Sequence, residues 1–119
     1  MNRLFHRSLV IASFVSLFIA LVSGVTLAQS NASKTLQGKI LSSEETPLSG
    51  AIVYLQDNKT NTIRSFISTN DGSYRFGQLA TDTDYKVWAQ YKNTKSSTRT
   101  ISSYDSRKLV TIDLHIKTK

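Results

Sequence analysis

Pro47-Leu-Ser-Gly-Ala-Ile-Val-Tyr-Leu55, then Ile63-Arg-Ser-Phe-Ile-Ser68, then Thr69-Asn-Asp-Gly-Ser-Tyr-Arg-Phe76 is the stretch on which the fold turns. Two short runs of β-branched and aromatic residues are bounded by Pro, Gly and Asn-Asp-Gly clusters, which are strand and turn signals. Period two puts Ala51, Val53 and Leu55 on one face of the first run and Ile52 and Tyr54 on the other. Pro47 presets φ in the preceding turn, and Gly50 accepts a positive one. Asp71-Gly72 suits a hairpin loop for the same reason. The run Thr62–Ser68, with Ile63, Phe66 and Ile67, is partly apolar on both faces, and Tyr74 and Phe76 share a face of a short strand that follows.

The rhythm continues on both sides. Thr35–Ser42 reads as an earlier strand with Leu36 and Ile40 inward, and Gly38, also inward, marks a bulge or the close approach of another backbone. Gly77–Asp84 is a loop pinned by Leu79. In Tyr85–Tyr91, residues Tyr85, Val87, Ala89 and Tyr91 alternate with Lys86, Trp88 and Gln90. A short strand is predicted near Arg99–Ser102. The run Leu109–Lys117 places Val110, Ile112, Leu114 and Ile116 inward, with Thr111, Asp113, His115 and Lys117 outward. Seven strands without helical periodicity after residue 28 predict an all-β, seven-stranded antiparallel sandwich.

Upstream lies a different kind of sequence. Arg3 and Arg7 precede an almost unbroken apolar run, Leu9–Val22, and small residues lead to Thr26-Leu27-Ala28. This is the pattern of a signal peptide over residues 1–28, cleaved after Ala28. The apolar core falls short of the roughly 20 residues of a membrane span. The alternative to cleavage is an uncleaved anchor stretched through Leu27 and diluted by Ser23, Gly24 and Thr26; once the leader is cleaved, no stable span is expected. Fifteen basic against eight acidic residues give a charge of +7, and loss of Arg3 and Arg7 leaves +5. Residues 29–34 read as a flexible lead-in and 35–117 as one domain. A domain of this size hides about 60% of its unfolded surface, so its stability is modest. With no cysteine in the chain, disulfides, thiol catalysis and cysteine metal sites are excluded. A cysteine-free exported domain fits a bacterial periplasm or cell surface.

The wording of the strands and turns resembles the carboxypeptidase regulatory-like domain. The residues that carry the likeness are Leu36-Gln-Gly-Lys-Ile40, Pro47-Leu-Ser-Gly-Ala-Ile-Val-Tyr-Leu55, Thr69-Asn-Asp-Gly-Ser-Tyr-Arg-Phe76, Leu79 and Tyr85-Lys-Val-Trp-Ala89. The resemblance implies a Greek-key sandwich of the transthyretin (prealbumin) type. It also implies a non-catalytic interaction or structural module, binding a protein or polysaccharide of the envelope or extracellular space. These motifs mark turns and core positions, so they speak to fold far more than to function.

Catalytic constellations are hard to assemble. His115 is the one histidine left after cleavage and sits outward, whereas zinc wants three or four converging ligands. No Gly-x-Ser-x-Gly elbow occurs, and no second histidine is available as a base. Ureide hydrolysis, which transthyretin-like enzymes perform with several histidines and a Tyr-Arg-Gly-Ser ending, finds neither here. Asp71, Asp82 and Asp84 fit no Ca²⁺ loop and read as solvated turn carboxylates. In related adhesin sandwiches a first-strand lysine forms an isopeptide with a last-strand asparagine. Lys39 could serve, but Leu109–Lys119 contains no asparagine, so an uncrosslinked chain is expected. No catalytic residue, metal or cofactor is therefore assigned. Trp88, with Tyr54 if it shares the sheet, offers an aromatic platform on which sugar rings stack, giving a carbohydrate-binding module as the alternative function. Lys92, Lys95 and Arg99, with Arg107 and Lys108 beyond, form a basic stretch opposed only by Asp105 and suited to an anionic glycan or membrane surface. Nucleic acid is not expected, because no recognition element accompanies the charge.

Overall fold

Alternation becomes register. The computed structural model describes residues 33–118, so the leader at 1–28 and residues 29–32 lie outside the described residues. The elements are β1 (Lys34–Ser42), β2 (Ile52–Asp57), β3 (Ile63–Ile67), β4 (Ser73–Leu79), β5 (Tyr85–Tyr91), β6 (Thr94–Lys95), β7 (Arg99–Ile101), β8 (Leu109–Thr111) and β9 (Leu114–Ile116). One sheet runs β4-β1-β8 with β9 also on β1; the other runs β3-β2-β5, with β6 and β7 both on β5. Between them lie the inward residues of each strand, among them Leu36, Ile40, Val53, Leu55, Tyr74, Phe76, Val87, Ala89, Val110 and Leu114. The all-β Greek-key sandwich is the fold.

Details differ from the pattern reading. There are nine strands among the described residues rather than seven: β6 is an added two-residue strand, and the expected Leu109–Lys117 strand is broken into β8 and β9. Both pieces run parallel to β1, in contrast to the other pairings. Their register is nonetheless continuous, since Thr35 opposes Leu109 and Ile40 opposes Leu114. Gly38 explains the break. A Cβ there would stand 1.8 Å from the Ile112 carbonyl oxygen, so the late strand presses against β1 where a side chain is missing. Ile112 N–H donates to Gln37 O at 2.9 Å, and the Asp113 carboxylate accepts from Lys39 N–H at 2.9 Å.

The Asp71-Gly72 turn forms, but it closes no hairpin, because β3 and β4 lie in opposite sheets. Gly72 has φ 79°, and a Cβ on it would meet Ile40 O at 2.8 Å and Leu48 N at 3.1 Å. The turn therefore packs into the corner where Ile40 N–H donates to Gly72 O and Leu48 N–H to Ile40 O, both at 2.8 Å. Strand β4 extends beyond Phe76 through a bulge: Leu36 opposes Phe76 while Lys34 opposes Leu79, and Gln78 takes a positive φ of 60°. Leu79, expected in a loop, is the buried end of that strand.

Lys34 corrects the lead-in. It belongs to β1 and is 2% exposed, its ammonium donating to Asp105 O at 2.6 Å and Ser102 O at 3.3 Å. A buried ammonium persists only where such acceptors replace water.

Candidate functional site: the outer face of the second sheet

Cross-strand partners share a face. Because Val53, Leu55, Val87 and Ala89 fill the core, their neighbours in sequence point out. Ile52 opposes Ile67 on β3 and Gln90 on β5; Tyr54 opposes Ser65 and Trp88; Gln56 opposes Ile63 and Lys86. The outer face thus gathers Ile52, Ile63, Ile67, Tyr54 and Trp88. Ile67 is 67% exposed and Ile63 52%. The first sheet is different: Gln37, Lys39, Ser73, Arg75, Thr111, Asp113 and His115 stand on its outer side, with Leu109 as an exposed apolar residue among them.

Tyr54 and Trp88 are half-buried and stack with centroids 5.6 Å apart and planes inclined by 23°. The Lys95 ammonium sits 5.2 Å from the indole centroid, a cation over a π-face. Lys95 reaches it because β6 pairs Lys95 with outward-facing Gln90. Of the five residues singled out in the sequence, these three come together. Lys92 does not join them. It lies in the β5–β6 turn with φ 45°, over the Tyr91 ring at 5.3 Å, and lines a groove of about 720 Å³ with Leu48, Thr94 and Lys117. Arg99 opposes inward-facing Val87 and so emerges on the other side of the sheet. There its charge opposes the rise that burial gives the Tyr74 phenol pKa. The basic stretch is thereby divided. Arg107 is further neutralised by Asp105, with Nη2 to Oδ2 at 2.6 Å and Nε to Oδ1 at 3.0 Å, and that pairing holds the Asp105 carboxyl far below the usual range.

The isoleucines were the part that pattern reading missed. Each was visible as an apolar residue, but only the β2–β3 register places Ile63 and Ile67 beside Ile52 and Tyr54.

The aspartates each have a local task. The Asp71 carboxylate accepts from the Thr69 hydroxyl and from Ser73 N–H, which holds its pKa down at about 2. Asp82 pairs with Lys59 at 3.0 Å, and Asp84 accepts from Ser103 N–H at 2.6 Å. His115 is exposed, with Nε2 2.8 Å from Glu45 Oε1. Among the described residues no three His, Asp or Glu side chains converge as metal ligands, and no helix is long and apolar enough to cross a membrane.

The family model of the carboxypeptidase regulatory-like domain matches residues 35–116. No curated protein matches by sequence. Among solved structures, the major pilin subunit BcpA of Bacillus cereus (D312A variant) superposes with a TM-score of 0.59 at 12% identity, over 73% of this chain and 30% of that one. The C-terminal fragment of the pilus adhesin SpaC of Lactobacillus rhamnosus GG gives 0.52 at 14%, over 73% and 45%. Catechol 1,2-dioxygenase of Acinetobacter sp. ADP1 gives 0.54 at 13%, over 74% and 53%. The chain spans about half or less of each of these proteins, and at such identities the likeness is one of fold alone.

Proposed function

This chain belongs to the carboxypeptidase regulatory-like domain family, and from that premise we propose that it is an exported, non-catalytic interaction or structural module. It acts in the bacterial envelope or outside the cell, and its ligand is another component of that compartment. The observation that carries this reading is the asymmetry of the two sheets: one outer face is polar apart from Leu109, while the other collects Ile52, Ile63, Ile67, Tyr54 and Trp88. Contiguous apolar surface of this kind marks interaction sites. Sandwiches of this shape in a pilin subunit and a pilus adhesin support a surface role. The dioxygenase likeness, at 13% identity and over 53% of that chain, is one of fold and brings no activity with it. The test is retention on isolated cell-envelope material. Wild-type protein is retained and a folded Ile52→Ser, Trp88→Ser variant is lost; equal retention of both overturns the reading.

The stacked Tyr54–Trp88 pair supports a second reading, a carbohydrate-binding module. Lys95 lies against the indole, so a ring that stacks there meets an ammonium, which favours acidic over neutral sugars. Titration with acidic and neutral polysaccharides, followed by Trp88 fluorescence, decides it; unchanged emission with every glycan rejects the sugar reading.

A further inference from the structure

Strand β3 is the outermost strand of its sheet, and among the described residues only β2 pairs with it. Which of its backbone groups are left over follows from two hydrogen bonds that bracket it. Ser68 N–H donates to Ala51 O at 2.8 Å, and Asp57 N–H donates to Thr62 O at 2.9 Å. Antiparallel ladders alternate, so between those brackets Phe66 and Arg64 are the residues bonded to β2. The N–H and C=O groups of Ile63, Ser65 and Ile67 therefore point to the open edge. Neighbouring edges are guarded by contrast. Strand β4, on the same side of the sandwich, is bent by its bulge at Gln78, and Arg64 sends its guanidinium to the Gly77 carbonyl at 3.3 Å. Bulges and charged side chains are the usual protection of sheet edges. Strand β3 has no bulge, proline or lysine, and its one charge is turned away to Gly77.

We propose that this edge is a dimerisation site, and that its occupant is β3 of a second copy of the chain, paired antiparallel about Ser65. The argument is self-complementarity. A two-fold axis at Ser65 sets Ser65 against Ser65 of the second copy, Ile63 against its Ile67, and Arg64 against its Phe66. All three of those outward-pointing residues then stand in hydrogen-bonded positions, so each left-over N–H finds a C=O. The same register covers Ile63 and Ile67 with one another on the outer face. A shift by one residue would break this, since alternate residues carry the free groups. Closure by a two-fold axis also ends this contact at two copies, because the two β3 edges satisfy one another. The paired strands are only five residues long, so the contact is small and the dimer reversible. The dimer covers Ile63 and Ile67 at the margin of the outer face and leaves Ile52, Tyr54 and Trp88 open. Its failure would show in mass, whereas failure of the proposed function would show in equal envelope retention of the wild type and the Ile52→Ser, Trp88→Ser variant.

Sedimentation velocity of the purified protein, as its host processes it, should show mass rising from one copy to two with concentration. Ser65→Pro removes an outward N–H without touching a β2 hydrogen bond, and Ile67→Lys places like charges at the contact; each should sediment as one copy while keeping the wild-type circular dichroism. The chain has no cysteine, so Ser65→Cys is a clean reporter. Hydrogen-bonded partners sit about 5.5 Å apart at Cα, within disulfide reach, and mild oxidation should crosslink Ser65→Cys but not Asn70→Cys at the adjoining turn. A wild type that stays one copy at every concentration overturns the proposal. So does a dimer that survives both edge variants, or equal crosslinking at the two cysteine positions.

Discussion

The Tyr74 hydroxyl donates to the Ile112 carbonyl at 2.7 Å across the buried end of the first sheet. Tyr74 is on β4 and Ile112 lies between β8 and β9, so one hydrogen bond ties the strands on either side of β1. Ile112 O is also the atom that a Cβ on Gly38 would strike. The missing side chain and the phenol thus serve the same contact: Gly38 lets the late backbone in, and Tyr74 holds it.

Replacing Tyr74 by Phe keeps the ring and leaves a buried carbonyl without its donor. Chemical denaturation should show a loss of about 1–3 kcal/mol. Burial pushes the phenol pKa well above its ordinary value, so the folded state keeps the proton that the unfolded chain releases above about pH 10. Stability should be intact below that pH and fall above it, less steeply in Tyr74→Phe.

Gly38→Ala should be the most damaging small change in the domain. The added carbon meets backbone that is itself in register with β1 on both sides, so relief requires β8 or β9 to leave its partner. A loss of about 3 kcal/mol or more is expected by urea unfolding; a change under about 1 kcal/mol would refute the close contact.

Lys34→Met retains the aliphatic stem and removes the ammonium from Asp105 O and Ser102 O. Two carbonyls lose a charged donor, at a cost of about 1–3 kcal/mol in equilibrium unfolding. Hydrogen exchange should quicken in the segment from Ser102 to Asp105 more than in β2 or β5.

Asp71 makes the Thr69–Ser73 turn sensitive to acid. Its carboxylate is stabilised in the folded turn by the Thr69 hydroxyl and Ser73 N–H, and titrates near pH 2 against an ordinary value of 3.8. A lowered pKa contributes stability above the ordinary value, lost as pH falls toward 2. Thermal melts from pH 5 to 2 should therefore show a decline that is shallower in Asp71→Asn.

Lys95→Ala should alter the emission of Trp88, the chain's single tryptophan, because the ammonium beside the indole is removed. Its effect on stability should stay near 0.5–1 kcal/mol, the scale of an exposed cation–π contact. An unchanged spectrum would mean that Lys95 does not rest there in solution.

What pattern reading can see depends on whether a residue's role is local. The alternation of Tyr85–Tyr91 is a property of one strand, so its buried and outward faces were legible, and the inward set of Val110, Ile112, Leu114 and Ile116 survived even the break in their strand. Gly38 carried its own signal, a missing side chain at a core position. Lys34 carried none: in sequence it is a polar residue after a polar lead-in, and its acceptors lie some seventy positions downstream. Arg99 failed for another reason. Its face is set by pairing with Val87, and a short strand flanked by serines and threonines gives no apolar period from which to read register. The same holds for Asp71-Gly72, whose turn chemistry was visible while the sheets it joins were not. Trp88 and Tyr54 became one feature only when β2 and β5 were aligned.

The central strand β1 has β4 on one side and the late pair β8 and β9 on the other. During synthesis, then, β1 can gain one neighbour early but must wait for Ile116 before its second side is closed. Contacts that span this much of the chain make folding slow, and the growing polypeptide remains open along its middle strand until nearly all of the domain has been made.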